Sequence, residues 1–254
     1  MLSPLKPDLK TDRTVNFNIK GFISTSLVDW PGKISSVIFL GGCGFRCRAC
    51  HNAQLVLHPD SLDDYPLDEI LAYVRQRSQW IDGVTVTGGE PTLQRSLPLL
   101  LARLKETGLR VKLDTNGSDP SAIARLARSR LVDAVFMDVK APLDPVSYTL
   151  VAGVPVNPAV IRRSIHILKD SGLEVVFRTT VVPGLVEEPE LERIREALGR
   201  VKRFIVQPFR SSETLDPKLR NADEFTLDRV EAMKARFEIP SRADLAPDLY
   251  SRTG

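Results

Sequence analysis

Ser35-Ser-Val-Ile-Phe-Leu-Gly-Gly-Cys-Gly-Phe-Arg-Cys-Arg-Ala-Cys50 is the stretch on which the fold turns: a short β-rich run breaks off in two glycines, and three cysteines follow within eight residues. A strand that ends in glycines and reactive side chains is how an α/β protein builds a ligand-bearing edge. Downstream the arrangement recurs. Runs at 83–87, 110–114, 134–139, 174–182 and 203–207 read as further strands, while 67–80, 93–106, 121–128, 158–170, 189–198 and 227–237 carry helical spacing. Strands alternating with helices predict βα units and a parallel sheet, curved or doubly wound, because a parallel pair needs a long crossover. The polar residues gather at one edge of that sheet: Thr87-Gly88-Gly89-Glu90, Asp114-Thr115-Asn116-Gly117, Asp138 with Lys140, Arg178, and Gln207-Pro208-Phe209-Arg210.

Upstream, 17–31 reads as a β-type arm or hairpin leading into the core, and the end of the chain, with Pro240 and Pro247, reads as irregular. The expected organisation is an N-terminal arm over 1–20, one core domain over 21–237 and a C-terminal tail over 238–254. The chain has 254 residues, 43% of them hydrophobic, enough for one sizeable core. Its net charge is only +3, with basic residues scattered among acidic ones, which gives nucleic-acid binding no support. No run approaches the roughly 18 to 20 apolar residues of a membrane span, and 1–20 lacks the apolar centre of a secretory signal. A cytoplasmic protein with no membrane partner is expected.

The chain has three cysteines, an odd number confined to 43–50, so a disulfide framework is a poor explanation in a reducing compartment. A metal site is the better one. Cubane clusters ordinarily take four cysteines; Cys43, Cys47 and Cys50 leave one iron open to bind a substrate or cofactor. The competing reading is a zinc site completed by His51 or His58. Structural zinc sites tie together two separated ligand pairs, and three thiols on one loop do little of that.

Taken together, C-x3-C-x2-C after the first strand and Gly88-Gly89-Glu90 after the second resemble the radical S-adenosylmethionine (SAM) superfamily. Thr25-Ser-Leu-Val-Asp-Trp-Pro-Gly-Lys33, Cys50-His-Asn52, Thr87-Gly-Gly-Glu-Pro91, Asp114-Thr-Asn-Gly117, Met137-Asp-Val-Lys140 and Val182-Pro-Gly184 are similar to the glycyl-radical-enzyme activases within it. The nearest likeness is to activators of anaerobic ribonucleoside-triphosphate reductase, with pyruvate formate-lyase activating enzyme a relative. The resemblance covers roughly 21–210 and implies a partial (βα)6 barrel, open on one side, with an N-terminal β arm. It further implies a [4Fe–4S] cluster on Cys43, Cys47 and Cys50 whose open iron takes the amino and carboxylate groups of SAM. One electron, from a low-potential donor such as flavodoxin or ferredoxin, then cleaves SAM to methionine and a 5′-deoxyadenosyl radical. In an activase that radical takes hydrogen from a glycine Cα of a partner enzyme.

Residue by residue, the resemblance assigns SAM contacts to Ala49, His51, Asn52, Gly88, Gly89, Glu90, Asp138, Lys140 and Arg178. Gly88, Gly89 and Glu90 suit the methionine ammonium, Lys140 its carboxylate and Asp138 the ribose. Read alone, Asp138-x-Lys140 is equally a surface ion pair. Arg178 is open between the SAM carboxylate and a structural contact to Asp114 or Asp138, and Asn52 between the cofactor side and a helix start. Asp114, Thr115 and Asp138 resemble a monovalent-cation site. Two departures stand out: Ala49 occupies a position that is aromatic in much of the superfamily, and Phe209-Arg210 replaces a Tyr-His. Trp30 and Phe45 are open between a partner surface and core packing. A small-molecule enzyme of the 7-carboxy-7-deazaguanine synthase type, and a non-catalytic metal-binding module, are the alternatives to an activase.

Overall fold

The computed structural model describes residues 15–212 and 214–240. Most of the expected arm, 1–14, and most of the expected tail, 241–254, lie outside the described residues. Seven strands form one sheet in chain order: β1 (Ile19–Ser26), β2 (Ser35–Leu40), β3 (Gly83–Gly88), β4 (Arg110–Thr115), β5 (Ala134–Asp138), β6 (Glu174–Val181) and β7 (Phe204–Pro208). β2 to β7 run parallel, and β1 pairs antiparallel with β2. The sheet does not close; β1 and β7 are its edges. This is the expected α/β architecture, six parallel strands in sequence with a β arm added.

The connections are α1 (Ala53–Leu57), α2 (Leu67–Gln76), α3 (Leu97–Lys105), α4 (Pro120–Ser129), α5 (Pro145–Ala152), α6 (Pro158–Lys169) and α7 (Glu188–Leu198), and α8 (Leu227–Phe237) follows β7. Three of them start alike: Asp119, Asp144 and Asn157 accept hydrogen bonds from first-turn N–H groups, and a proline holds the next position. The proline has no N–H to leave unpaired there, and its φ already suits the helix. Apolar residues then recur at helical spacing, as at Leu97, Leu100, Leu101 and Leu104 in α3 or Ile161, Ile165 and Leu168 in α6. These stripes bury Val84, Val86, Val111, Leu113, Val135 and Met137, alternate residues of β3, β4 and β5.

The intervening residues face the interior of the open barrel. One end of that interior is filled by Trp30, fully buried among Ala134, Phe136 and Val176. A Cβ at Gly83 would lie 2.6 Å from the Trp30 ring and 2.7 Å from the Arg110 carbonyl, so a residue without a side chain is required there. Gly83, Arg110 and Ala134 are the first residues of β3, β4 and β5, which places Trp30 at the N-terminal edge of the sheet, away from the cysteines.

Some boundaries differ from expectation. β1 begins at Ile19, which is buried, so the expected arm ends within a strand. Ile239 bridges to Phe204, and Glu238 accepts the Val206 N–H, binding the start of the expected tail to β7. α2 stops at Gln76, and α3 starts at Leu97 after a separate 3-10 turn at Pro91–Leu93. The helix α5 was not expected: it is apolar nearly all round, so helical periodicity is blunted.

Candidate functional site

The cysteine loop leaves β2 through Gly41 and Gly42, and its backbone is tied on every side. Gly41 N–H donates to the Asn18 carbonyl at 3.0 Å and Gly42 N–H to Leu55 at 2.7 Å. From α5, the carbonyls of Ala152 and Val151 accept the N–H groups of Arg46 and Arg48 at 2.8 and 3.2 Å. Gly153, which ends α5 at φ +69°, lies so close that a Cβ would sit 2.1 Å from the Arg46 carbonyl oxygen. Beyond β7, Leu215 and Asp216 donate their N–H groups to the carbonyls of Cys50 and Arg48, and the Arg48 guanidinium meets the Asp216 carboxylate at 2.7 Å. The support from α5 is what the sequence reading missed; Asp144-Pro145 at one end and Gly153 at the other were its readable signals.

Within this frame Cys43, Cys47 and Cys50, none in a disulfide, open on one pocket at the C-terminal edge of the sheet. Burial pushes the Cys47 thiol up to about 12, with the Lys140 ammonium opposing, and raises Cys43 as well. A group that withdraws the protons and supplies positive charge is what such thiols await. Among the described residues no three His, Cys, Asp or Glu side chains gather around a point that could hold a single ion. A cubane takes each thiolate at a different iron, and the His51 ring, the nearest candidate for a fourth zinc ligand on this loop, has its Nε2 on the Arg210 carbonyl. The donor set, three thiols opening on one pocket, therefore fits a cluster better than a Cys3His zinc site.

The Gly88-Gly89-Glu90 turn has another reason for its residue types. A Cβ on Gly88 would lie 2.3 Å from Leu40 backbone atoms, and one on Gly89 1.9 Å from the Gly42 carbonyl oxygen, so these glycines let the β3 end lie against the cysteine loop. Gly89 and Glu90 donate their N–H groups to Leu40 and Gly42 at 2.8 Å each. Glu90 lies at the pocket, with its carboxylate held by the neighbouring turns. It is buried, with one oxygen taking the Thr92 N–H, Thr92 hydroxyl and Thr115 hydroxyl, and the other taking the Asn116 N–H at 2.7 Å. Burial raises its pKa, and the hydrogen bonds, Asn116 foremost, pull the other way.

Beneath the pocket lies a chain of alternating charges on the inner sheet face. The fully buried Lys112 bonds the Asp114 carboxylate; Arg178 reaches Asp114 at 3.6 Å and Asp138 at 2.7 Å; Lys140 reaches Asp138 at 2.9 Å. Burial alone would raise the Asp138 carboxyl, but Arg178 and then Lys140 outweigh it and hold it at about 2. Lys140 is correspondingly raised, Asp138 overcoming the burial that opposes it. Arg178 does not line the pocket; of the roles left open, the contact to both Asp114 and Asp138 is the one formed. Asp114, Thr115 and Asp138 all border the pocket, where both carboxylates are engaged by Lys112, Arg178 and Lys140 and the Thr115 hydroxyl donates to Glu90.

Apart from Arg178, the expected residues line the pocket. Ala49 packs beside Val182, Phe209 and Leu219. The His51 ring donates from Nε2 to the Arg210 carbonyl at 2.8 Å, tying the cysteine loop to the end of β7. Asn52 precedes α1 without capping it and gives its side-chain N–H to the Gly88 carbonyl at 3.0 Å. Lys140 and Asp138 line it as well. Trp30 and Phe45 prove to be packing residues; Phe45 lies edge-on to Tyr148 at 6.4 Å.

Comparison with known proteins agrees with this architecture. The model of the radical SAM superfamily matches residues 37–197. A protein of Methanocaldococcus jannaschii, named as a candidate glycyl-radical enzyme activating enzyme, is 30% identical over 207 residues, covering 80% of this chain and 84% of its own. The pyruvate formate-lyase-activating enzyme of Streptococcus mutans is 31% identical over 196 residues, 72% of this chain and 73% of its own. Among solved structures, TYW1 with a lysine-pyruvate adduct superimposes with a TM-score of 0.58 at 16% identity, over 80% of this chain and 72% of that one. Streptococcus suis SuiB bound to SAM does so with 0.57 at 17%, over 77% and 44%. These two likenesses concern the fold.

Proposed function

The chain belongs to the radical SAM superfamily, within its glycyl-radical-enzyme activase group, and from that membership we propose that it activates a glycyl radical enzyme, anaerobic ribonucleoside-triphosphate reductase. The observation that carries the reading is the cysteine loop itself: three thiols of eight residues, opening on one pocket, in a chain with no fourth cysteine to close the set. Bound there, a [4Fe–4S] cluster with SAM at its open iron supplies, on one-electron reduction, a radical able to take hydrogen from a glycine Cα.

The chain's own residues bind, balance charge and orient. Cys43, Cys47 and Cys50 would hold the cluster. Lys140, whose positive charge already acts on Cys47 and Cys43, offsets thiolate charge and would pair with the methionine carboxylate. Asp138 holds Lys140 in place and would serve the ribose. Ala49, His51 and Asn52 form the wall toward adenine, with the Phe209 and Val182 patch behind Ala49 shielding that side from water. The Gly88-Gly89-Glu90 turn, which lines the pocket, would receive the ammonium.

The test is anaerobic reconstitution with iron and sulfide, reduction with dithionite in the presence of SAM, and addition of candidate glycyl radical enzymes. A new protein-centred doublet in the electron paramagnetic resonance spectrum of the reductase is the expected result. SAM cleavage without any protein radical would turn the assignment to a small-molecule substrate, and purified protein carrying zinc in place of iron and sulfide would end it.

A further inference from the structure

We propose that Asn116 sets the reduction potential of a cluster held on Cys43 by donating its side-chain N–H to the cysteine sulfur. The inference rests on the reading of Cys43, Cys47 and Cys50 as cluster ligands, and it concerns a residue to which that reading gives no task.

Asn116 opens the turn after β4, is buried, and places Nδ2 3.7 Å from Cys43 Sγ. Its orientation is not free. The side-chain oxygen accepts the Ser118 N–H at 2.9 Å, which assigns the other amide atom, the nitrogen, to the sulfur. Its own N–H is held at 2.7 Å by Glu90, the fully enclosed carboxylate of the neighbouring turn. The next residue is pinned as well: the Ser164 hydroxyl donates to the Gly117 carbonyl at 2.7 Å, and Gly117 adopts φ +76° where a Cβ would meet Met137 at 2.1 Å. The donor is thus fixed by the protein before any cluster is present.

Cys43 also accepts the Phe45 N–H at 3.3 Å. Among the described residues both N–H donors to a thiol sulfur therefore go to Cys43, and Cys47 and Cys50 receive none. Hydrogen bonds to cluster sulfurs are a principal control of reduction potential. An N–H stabilises negative charge on sulfur, and that charge is larger in the reduced cluster, so the donor favours electron uptake. Asn116 acts through Cys43 and is a positioning residue.

The experiment is a redox titration of the reconstituted cluster, followed by electron paramagnetic resonance, in wild type, Asn116→Ser and Asn116→Asp. Serine keeps a hydroxyl to accept the Ser118 N–H but is too short to reach the sulfur; aspartate keeps the shape and sets a carboxylate oxygen against the thiolate. With iron and sulfide content unchanged, the ratio of reduced to oxidised cluster at fixed potential should drop roughly tenfold in Asn116→Ser, about 59 mV for one electron, and further in Asn116→Asp. A wild-type potential in both variants overturns the proposal. So does loss of iron from both with an unchanged circular dichroism spectrum, which would make Asn116 a support of the loop. Wild type that takes up no iron and sulfide would overturn the cluster reading itself, and this with it.

Discussion

The two ends of the barrel interior are built from the same strands and treated oppositely. At the N-terminal edge the space is filled: Trp30 is packed on Ala134, Phe136 and Val176, and Gly83 is bare to admit it. At the C-terminal edge the space is kept open, walled by cysteine loop, glycine turn and Lys140. Between them runs the ladder of Lys112, Asp114, Arg178, Asp138 and Lys140, with Phe136 under the cations at 4.4 Å from Lys112 and 5.5 Å from Arg178. An unpaired charge at that depth would be costly. Alternation makes each charge the partner of the next, so the interior can turn from apolar to polar within a few residues. One end thus supplies stability and the other reactivity.

That division is most directly tested by removing one residue from each end. Trp30→Ala should cost about 3–5 kcal/mol in urea unfolding, yet the fraction still folded should take up iron as wild type does. Cys47→Ala should do the reverse: reductive SAM cleavage falls below detection and iron content collapses, while the unfolding midpoint of the metal-free protein changes little. Failure of iron loading in folded Trp30→Ala would show that the two ends are not separable.

Much of the open end was legible because chemistry is written there in residue types that have few other uses. Three cysteines at short spacing, paired glycines after a strand and Asp-Thr-Asn-Gly after the next marked the edge and its main loop correctly. What escaped were directions. Glu90 lies in a turn that faces the pocket, yet its carboxylate is drawn inward by Thr92, Thr115 and Asn116, and residue type says nothing of that. Arg178 reads from sequence as open between cofactor and aspartates; the pairing Asp138–Arg178 across β5 and β6 brings it to the carboxylates, and register is invisible in one sequence. Lys112 was passed over because a lysine in a strand reads as surface, and only its alternation with Asp114 on the inner face explains its burial.

The ladder gives the next test, smaller than the first. Asp138 holds its proton less tightly when folded, about 2 against 3.8. A depressed carboxylate contributes stability that is present above the unfolded value and lost as pH falls through the folded one. The contribution is about 2 kcal/mol. Asp138→Asn should therefore be less stable than wild type at pH 7, with the gap closing between pH 4 and pH 2, as read by urea unfolding of the metal-free protein. An equal gap at both ends of that range would mean that packing, and not charge alternation, holds the inner face.

The smallest effect on stability concerns the outside of the open end. Arg48 and Asp216 clip the segment after β7 onto the cysteine loop, beside the backbone bonds from Leu215 and Asp216 to Cys50 and Arg48. Two main-chain bonds remain when this half-buried ion pair is removed, so Asp216→Asn should shift the melting temperature only slightly, since single pairs near the surface contribute little. The loop should nonetheless open more often, because local opening is governed by the few contacts that cover a segment and not by global stability. In air, a reconstituted cluster in Asp216→Asn should then lose its visible absorbance several-fold faster than in wild type, and the difference should widen as salt is lowered, because screening no longer weakens the wild-type pair. Equal rates would assign protection of the thiols to the backbone bonds alone, and the contrast between a sealed end and a merely covered one would sharpen accordingly.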